Sequence, residues 1–308
     1  MADISRFFYG GQAVIEGVMM RGRRSYAVAV RLPGGEIKLL HEPLRSAIYT
    51  HRIWKLPFLR GLVVLIEQLH LGTKSLLWSA TASTTSTLSE GEEEVSSGRL
   101  EVAIGVGVGV LFSVGLFIGL PLLGASLAVR NSGGIAFVLV EGLIRVVLVL
   151  AYLALIGLLS DVYRVFQYHG AEHKTINAFE AEWELTPASA ARASTLHPRC
   201  GTGFLIVVLV VSLLLFAVVA GLHPNWPELV ISRLAGIPVI AAVSYEWIRL
   251  LASAPRNWAV RALLWPILQT QRLTTRQPDE RMLEVAITSF KAVLERDREL
   301  VDAPAPLV

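Results

Sequence analysis

Charge and sulfur are scarce in this sequence. Of 308 residues only 17% are charged and 53% are hydrophobic, with a mean hydropathy of +0.55. Soluble domains carry roughly 25% charge. Too little is present here to cover a water-facing surface, which excludes most classes of soluble enzyme. A single cysteine, Cys200, rules out an intrachain disulfide and leaves an oxidising compartment unmarked. Charge of one sign is lacking too. Lys+Arg 28 against Asp+Glu 25 gives +3, too mild to argue for sequence-specific nucleic-acid binding. No basic stretch followed by an apolar one opens the chain, so no cleaved signal peptide is expected. No phosphate-cradling glycine loop with its lysine occurs, which speaks against ATP use.

What the chain has instead is long apolar runs. A helix needs roughly 20 residues to cross about 30 Å of hydrocarbon. Four stretches qualify: about 102–129, about 135–159 with Glu141 and Arg145, about 203–222, and about 229–252 with Arg233, Glu246 and Arg249. A fifth, 56–80, is interrupted by Arg60, Glu67, His70 and Lys74 and reads as a helix lying on the membrane surface. Lys and Arg gather before residue 50, between 161 and 202 and after 253, whereas the segment 223–228 has neither. That bias places both termini and every chemically interesting segment outside the spans on the cytoplasmic side.

The expected fold is therefore an α-helical polytopic membrane protein: four transmembrane helices plus an interfacial helix, with a small cytoplasmic cap containing an N-terminal β element. The expected segments are a β-rich 1–52, an interfacial helix 53–80, a flexible acidic linker 81–99 and transmembrane helices 1 and 2 over 100–160. A His/Cys motif loop 161–202, transmembrane helices 3 and 4 over 203–252, C-terminal helices 253–300 and a disordered tail 301–308 complete the chain. Tyr26–Leu32 alternates, Pro33-Gly34-Gly35 turns and Glu36–Leu40 returns, a β-hairpin pattern. Pro278, Asp279 and Glu280 read as a helix start, and Met282, Val285, Ala286, Phe290 and Val293 as its apolar face.

Chemistry concentrates in Tyr168-His169-Gly170-Ala171-Glu172-His173-Lys174. On a helix His169 and His173 project from one face, with Glu172 beside them. Two imidazoles so spaced can hold a metal ion, zinc or another transition metal, with the carboxylate as a ligand or as a base for water. This is the H-x-x-E-H pattern of inverted zincins, and Glu246 could complete a two-His-one-Glu set. His197-Pro198-Arg199-Cys200-Gly201 follows in the same segment. His169, His173, His197 and Cys200 would instead make a closed, structural zinc site. Plain interfacial histidines paired with Glu172 and Glu180 are the bland alternative. The glycine-rich start, residues 9–22, carries the polar tips Gln12, Glu16 and Arg21 and reads as a β element with bulges packed on the membrane face. Glu141 and Arg145 fit an intrahelical pair, and Glu246 with Arg249 lies at the cytoplasmic end of the last span.

Five of these runs, YGGQAVIEGVMMRG, FQYHGAEHKTINAFE, HPRCGTGF, SYEWIR and LTTRQPDE, together resemble the YqhQ family from about Tyr9 to about Phe290. Gln277 stands where that family usually has an acidic residue. The resemblance implies a bacterial multi-pass membrane protein of a group often labelled metal-dependent enzymes. Its genes frequently lie near translation-factor genes, which points toward membrane-protein biogenesis. Two functions stand against each other. One is a membrane-embedded, metal-binding accessory that docks on the Sec translocon, a ribosome or other membrane proteins. The other is a zinc-dependent hydrolase with Glu172 as its base. A transporter ranks third, because the spans show little polar lining.

Overall fold

The structure is a computed structural model that describes residues 9–44, 52–85, 98–129, 134–222, 224–254 and 257–302. The acidic part of the expected linker and the expected tail from 303 onward lie outside these residues.

Four strands, β1 (Gly10–Val14), β2 (Gly17–Arg21), β3 (Ser25–Arg31) and β4 (Ile37–Pro43), pair antiparallel in chain order. The register between β1 and β2 runs unbroken from Gly10 opposite Arg21 to Val14 opposite Gly17. Residues 9–22 are thus a regular hairpin without the expected bulges. Its two-residue turn places Glu16 at φ 53, the left-handed conformation that the second central residue of a type II turn takes.

The sheet is covered on both faces. Tyr26, Val28 and Val30 pack beneath Leu71 and Ala82 of α1 (Leu59–Thr85). Ala27 and Ala29 turn the other way, toward α5 (Ser160–Glu180) and α10 (Glu280–Asp302). β3 is buried along nearly its whole length, so its alternation is one of size, small against large, rather than of polarity. The expected placement of this element flat on a membrane face is corrected accordingly. α10 matches its sequence reading closely: the Asp279 side chain accepts from the Met282 N–H at 2.8 Å, and Met282, Val285, Phe290 and Val293 are buried. Capping by an aspartate at this position is a strong helix start.

Among the described residues four helical stretches are long and apolar enough to cross a membrane: Ile104–Ala128, Ile135–Ile156, Gly201–Ala220 and Trp226–Leu251. The first joins α2 (Gly98–Val114) to α3 (Leu120–Ala128) through one π turn, Gly115–Gly119. The others are α4 (Ile135–Ile156), α7 (Gly201–Ala220) and α8 (Trp226–Ser253). Many of their Leu and Val side chains point outward, as at Leu111, Leu127, Leu143 and Val218.

The 161–202 segment is no loop. It folds as the 21-residue α5, a bend and the short α6 (Pro187–Ala191). The stretch 170–176 of α5 is buried, and polar residues inside that stretch hide the helical period. α9 (Trp258–Thr274) runs from the apolar bundle to the cap, with Ile267 against Val207 and Val211 of α7. α1 lies on the sheet and on the end of α8, where Gly61 meets the Tyr245 ring. Its Ile66, Leu69 and Leu76 stay exposed.

One polar cluster sits within the apolar bundle. Glu141 accepts from Arg145 at 2.5 Å, as the i,i+4 spacing predicts. It also accepts from Arg233 of α8, through Nε at 3.2 Å and Nη2 at 2.5 Å.

Candidate metal centre

His169 and His173 stand one turn apart on α5, their rings 4.4 Å apart. The helix can lie this deep because residue 170 is glycine. A Cβ there would fall 2.0 Å from the Arg276 carbonyl, so the segment after α9 presses directly on the α5 backbone. That close approach delivers an acceptor: His169 Nδ1 donates to the Thr274 carbonyl at 2.8 Å. His173 Nδ1 donates to the Thr195 carbonyl at 2.5 Å. Both rings are fixed as the tautomer with Nε2 free of hydrogen, the arrangement in which metal-binding histidines are held.

The Thr195 carbonyl is itself held in place. Lys174 donates to the carbonyls of Ala191 and Ala193, each at 2.7 Å. Asn177 donates to those of Ser194 and Leu196 at 2.8 and 3.1 Å. The polar residues after the HGAEH run therefore pin the returning chain against α5. Gln271 of α9 then grips the backbone of His197 twice, accepting from its N–H and donating to its carbonyl, both at 2.8 Å.

Cys200 arrives at the end of this turn as the N-cap of α7. Its Sγ lies 3.2 Å from His169 Nε2 and 3.0 Å from the Thr202 hydroxyl. Ligand atoms of His169, His173 and Cys200 all fall within 4.8 Å of one another. His173 Nε2 is buried with no hydrogen-bond partner among the described residues. An orphaned acceptor beside a thiol and a second imidazole is costly unless something fills the gap. Two imidazoles and a sulfur are also a zinc-type donor set, so the residues fit a metal ion.

The other sequence candidates are placed differently. His197 is buried, with Nε2 3.6 Å from a Glu180 carboxylate oxygen and its ring 5.7 Å from that of His173. It borders the three donors without joining them, so the closed four-ligand set is not assembled. Glu180 also pairs with Arg199. Glu246 is taken by Arg60, whose Nε donates at 2.7 Å, and by the Phe58 N–H at 3.1 Å. It ties α1 to α8 and is not among the cluster's donors. Arg249 is exposed at the same helix end.

Glu172 is buried. Burial pushes its carboxyl upward, opposed by His169, His197 and a hydrogen bond from the Gly11 backbone. For His173, burial pushes the imidazole pKa down, favouring the neutral ring that a metal needs. The N-terminal motif reaches the site only through Gly11. Glu16 binds Arg164 of α5 at 2.6 and 2.5 Å, Arg21 pairs with Glu67 of α1 at 3.5 Å, and Gln12 packs on Gly72. These are fasteners between sheet and helices. Thr195, Gln271 and Thr274 were missed by sequence reasoning because each acts through its backbone or from a distant segment.

The family model described as "Protein of unknown function (DUF1385)" matches residues 56–296. The chain belongs to this family. The chain is also 36% identical over 298 residues to the "Uncharacterized protein YqhQ" of Bacillus subtilis (strain 168), covering 93% of this chain and 92% of that one. No solved structure matches the chain. Neither the family's name nor the relative's speaks of membranes or metals.

Proposed function

We propose that this DUF1385 member is a polytopic protein of the bacterial cytoplasmic membrane, both termini cytoplasmic, with a transition-metal site of the zinc type at His169, His173 and Cys200. The observation that carries the reading is the buried, unpartnered His173 Nε2 facing a thiol and a second imidazole. The chemistry that fits best is metal-assisted hydrolysis. Three protein donors rather than four are the pattern of catalytic rather than structural zinc sites, and His197 is turned toward Glu180.

A zinc ion held there would supply Lewis acidity. The protein's own residues do the rest. The carbonyls of Thr274 and Thr195 hold both imidazoles in one tautomer. In this reading Glu172, whose carboxyl burial keeps closer to neutrality than an exposed one, takes and returns the proton.

A second reading is a metal-stapled accessory in membrane-protein biogenesis, acting with the translocon or a ribosome. It draws on the exposed Ile66, Leu69 and Leu76 of α1, a surface suited to another helix.

Metal analysis of the purified protein comes first: about one transition ion per chain is expected, and trace amounts would sink the site. Glu172→Gln should then keep metal and fold but abolish function in cells, since losing a base removes roughly 10²–10⁴-fold in rate. Cys200→Ser should lose the metal and melt lower. A working Glu172→Gln protein with normal metal leaves the accessory role. For topology, a cysteine at Ala188 should resist an impermeant thiol reagent in intact cells while one at Asn225 reacts.

A further inference from the structure

Two guanidiniums and one carboxylate meet inside the apolar bundle. We propose that Arg145, Arg233 and Glu141 are the fixed part of an anion site, completed by one phosphate group from a lipid headgroup or from free phosphate.

The charge count carries the argument. Arginine does not give up its proton in proteins, so the cluster holds two positive charges against one negative. No Asp or Glu occurs in Ile104–Ala128 or Gly201–Ala220. The other acids of the spans are occupied at the ends of α8. Glu228 forms the capping box with Asn225, and Glu246 is held by Arg60. Among the described spans nothing neutralises the second guanidinium, and an unpaired charge in such surroundings is expensive.

Donor geometry says where the missing anion goes. Arg233 spends Nε and Nη2 on Glu141 and Nη1 on the Ser232 hydroxyl at 3.0 Å. Arg145 gives Nη2 to Glu141 at 2.5 Å and Nε to the Phe117 carbonyl at 3.0 Å. Its Nη1 has no hydrogen-bond partner among the described residues. Phe117 sits in the π turn Gly115–Gly119, a distortion frequent at functional sites. The Phe216 ring lies 4.3 Å from the Arg233 guanidinium and 5.3 Å from that of Arg145, fixing both cations in place. Only Arg145 keeps an edge at the surface, its side chain 9% exposed against 0% for Arg233 and 1% for Glu141.

Depth fits a lipid source. Glu141 and Arg145 follow Ile135 by six and ten residues, roughly 9–15 Å along the helix at about 1.5 Å each. α4 ends and α7 begins beside the cap, so the start of α4 lies at the opposite face. Arginines at such depth draw headgroups and water inward.

This rests on the membrane placement proposed above, and recovery of the full chain in lipid nanodiscs tests that placement separately. Three preparations are then melted: phosphatidylcholine nanodiscs, the same with phosphatidylglycerol added, and the first with inorganic phosphate in the buffer. Wild type should melt higher in one anionic arm, which names the source. Arg145→Gln should lose that response and Arg145→Lys, which keeps the charge, should retain it. Equal responses of wild type and Arg145→Gln, or no response of wild type in either arm, overturn the proposal. If Arg145→Gln does not fold, native mass spectrometry of wild type decides: bound phosphatidylglycerol or phosphate supports the site, and neither overturns it.

Discussion

The three-residue polar cluster in the cap and the one in the apolar bundle are built on opposite plans. In the bundle, Glu141 has both oxygens occupied and Arg233 is forked onto it. The groups face each other and hold α4 to α8. In the cap, the bonds run outward. His169 and His173 spend Nδ1 on backbone carbonyls, and the inward atoms are left to one another and Cys200. Bonds directed inward make a clasp, which leaves only the Arg145 edge over for a ligand. Bonds directed outward hold open a place for something else.

The largest way to break that comparison is to remove the clasp's only anion. Glu141→Gln leaves two buried guanidiniums without a countercharge, and breaking a buried pair in this manner destabilises by about 3–5 kcal/mol. Denaturant titration of the purified protein should show it. Replacing all three at once, with Glu141→Leu, Arg145→Met and Arg233→Met, should recover most of the loss, because well-packed apolar groups substitute for such triads. A single Glu141→Gln change costing under about 1 kcal/mol would mean that the carboxylate does not hold the bundle.

The same contrast explains what could be read from the sequence. The i,i+4 pair Glu141–Arg145 is local and legible. Arg233 lies 92 residues from Glu141 along the chain, and no spacing rule reaches that far. Spans and the α10 face were legible because hydropathy and period state them directly. α5 reads as a loop from the sequence because residues such as Glu172, His173 and Lys174 are buried polar groups, which look like surface until their partners are known. His169, His173 and Cys200 were found from residue type and spacing. The choice between His197, Glu246 and an open position was not legible, since it depends on Glu180 and Arg60 competing for them.

The smallest effect sharpens the comparison from the cap side, through pH. His173 has its pKa lowered from 6.5 by burial, with the Cys200 contact, among others, opposing. In metal-free protein the unfolded chain takes up a proton near pH 6.5 while the folded chain resists to lower pH. The unfolded state then binds more protons, so stability falls as pH drops through that window. Glu172 acts with the opposite sign. Burial raises its pKa from 4.5, so its contribution is complete below that value and is lost as pH rises through the folded pKa. The two slopes partly cancel in the wild type. Glu172→Gln should remove the loss on the rising side and expose the acid slope of His173, and His173→Gln should flatten the acid side alone. Melting temperatures of chelator-treated protein across mildly acidic pH read both. Profiles of wild type and His173→Gln that superimpose would show that this imidazole is not the group held neutral in the folded cap.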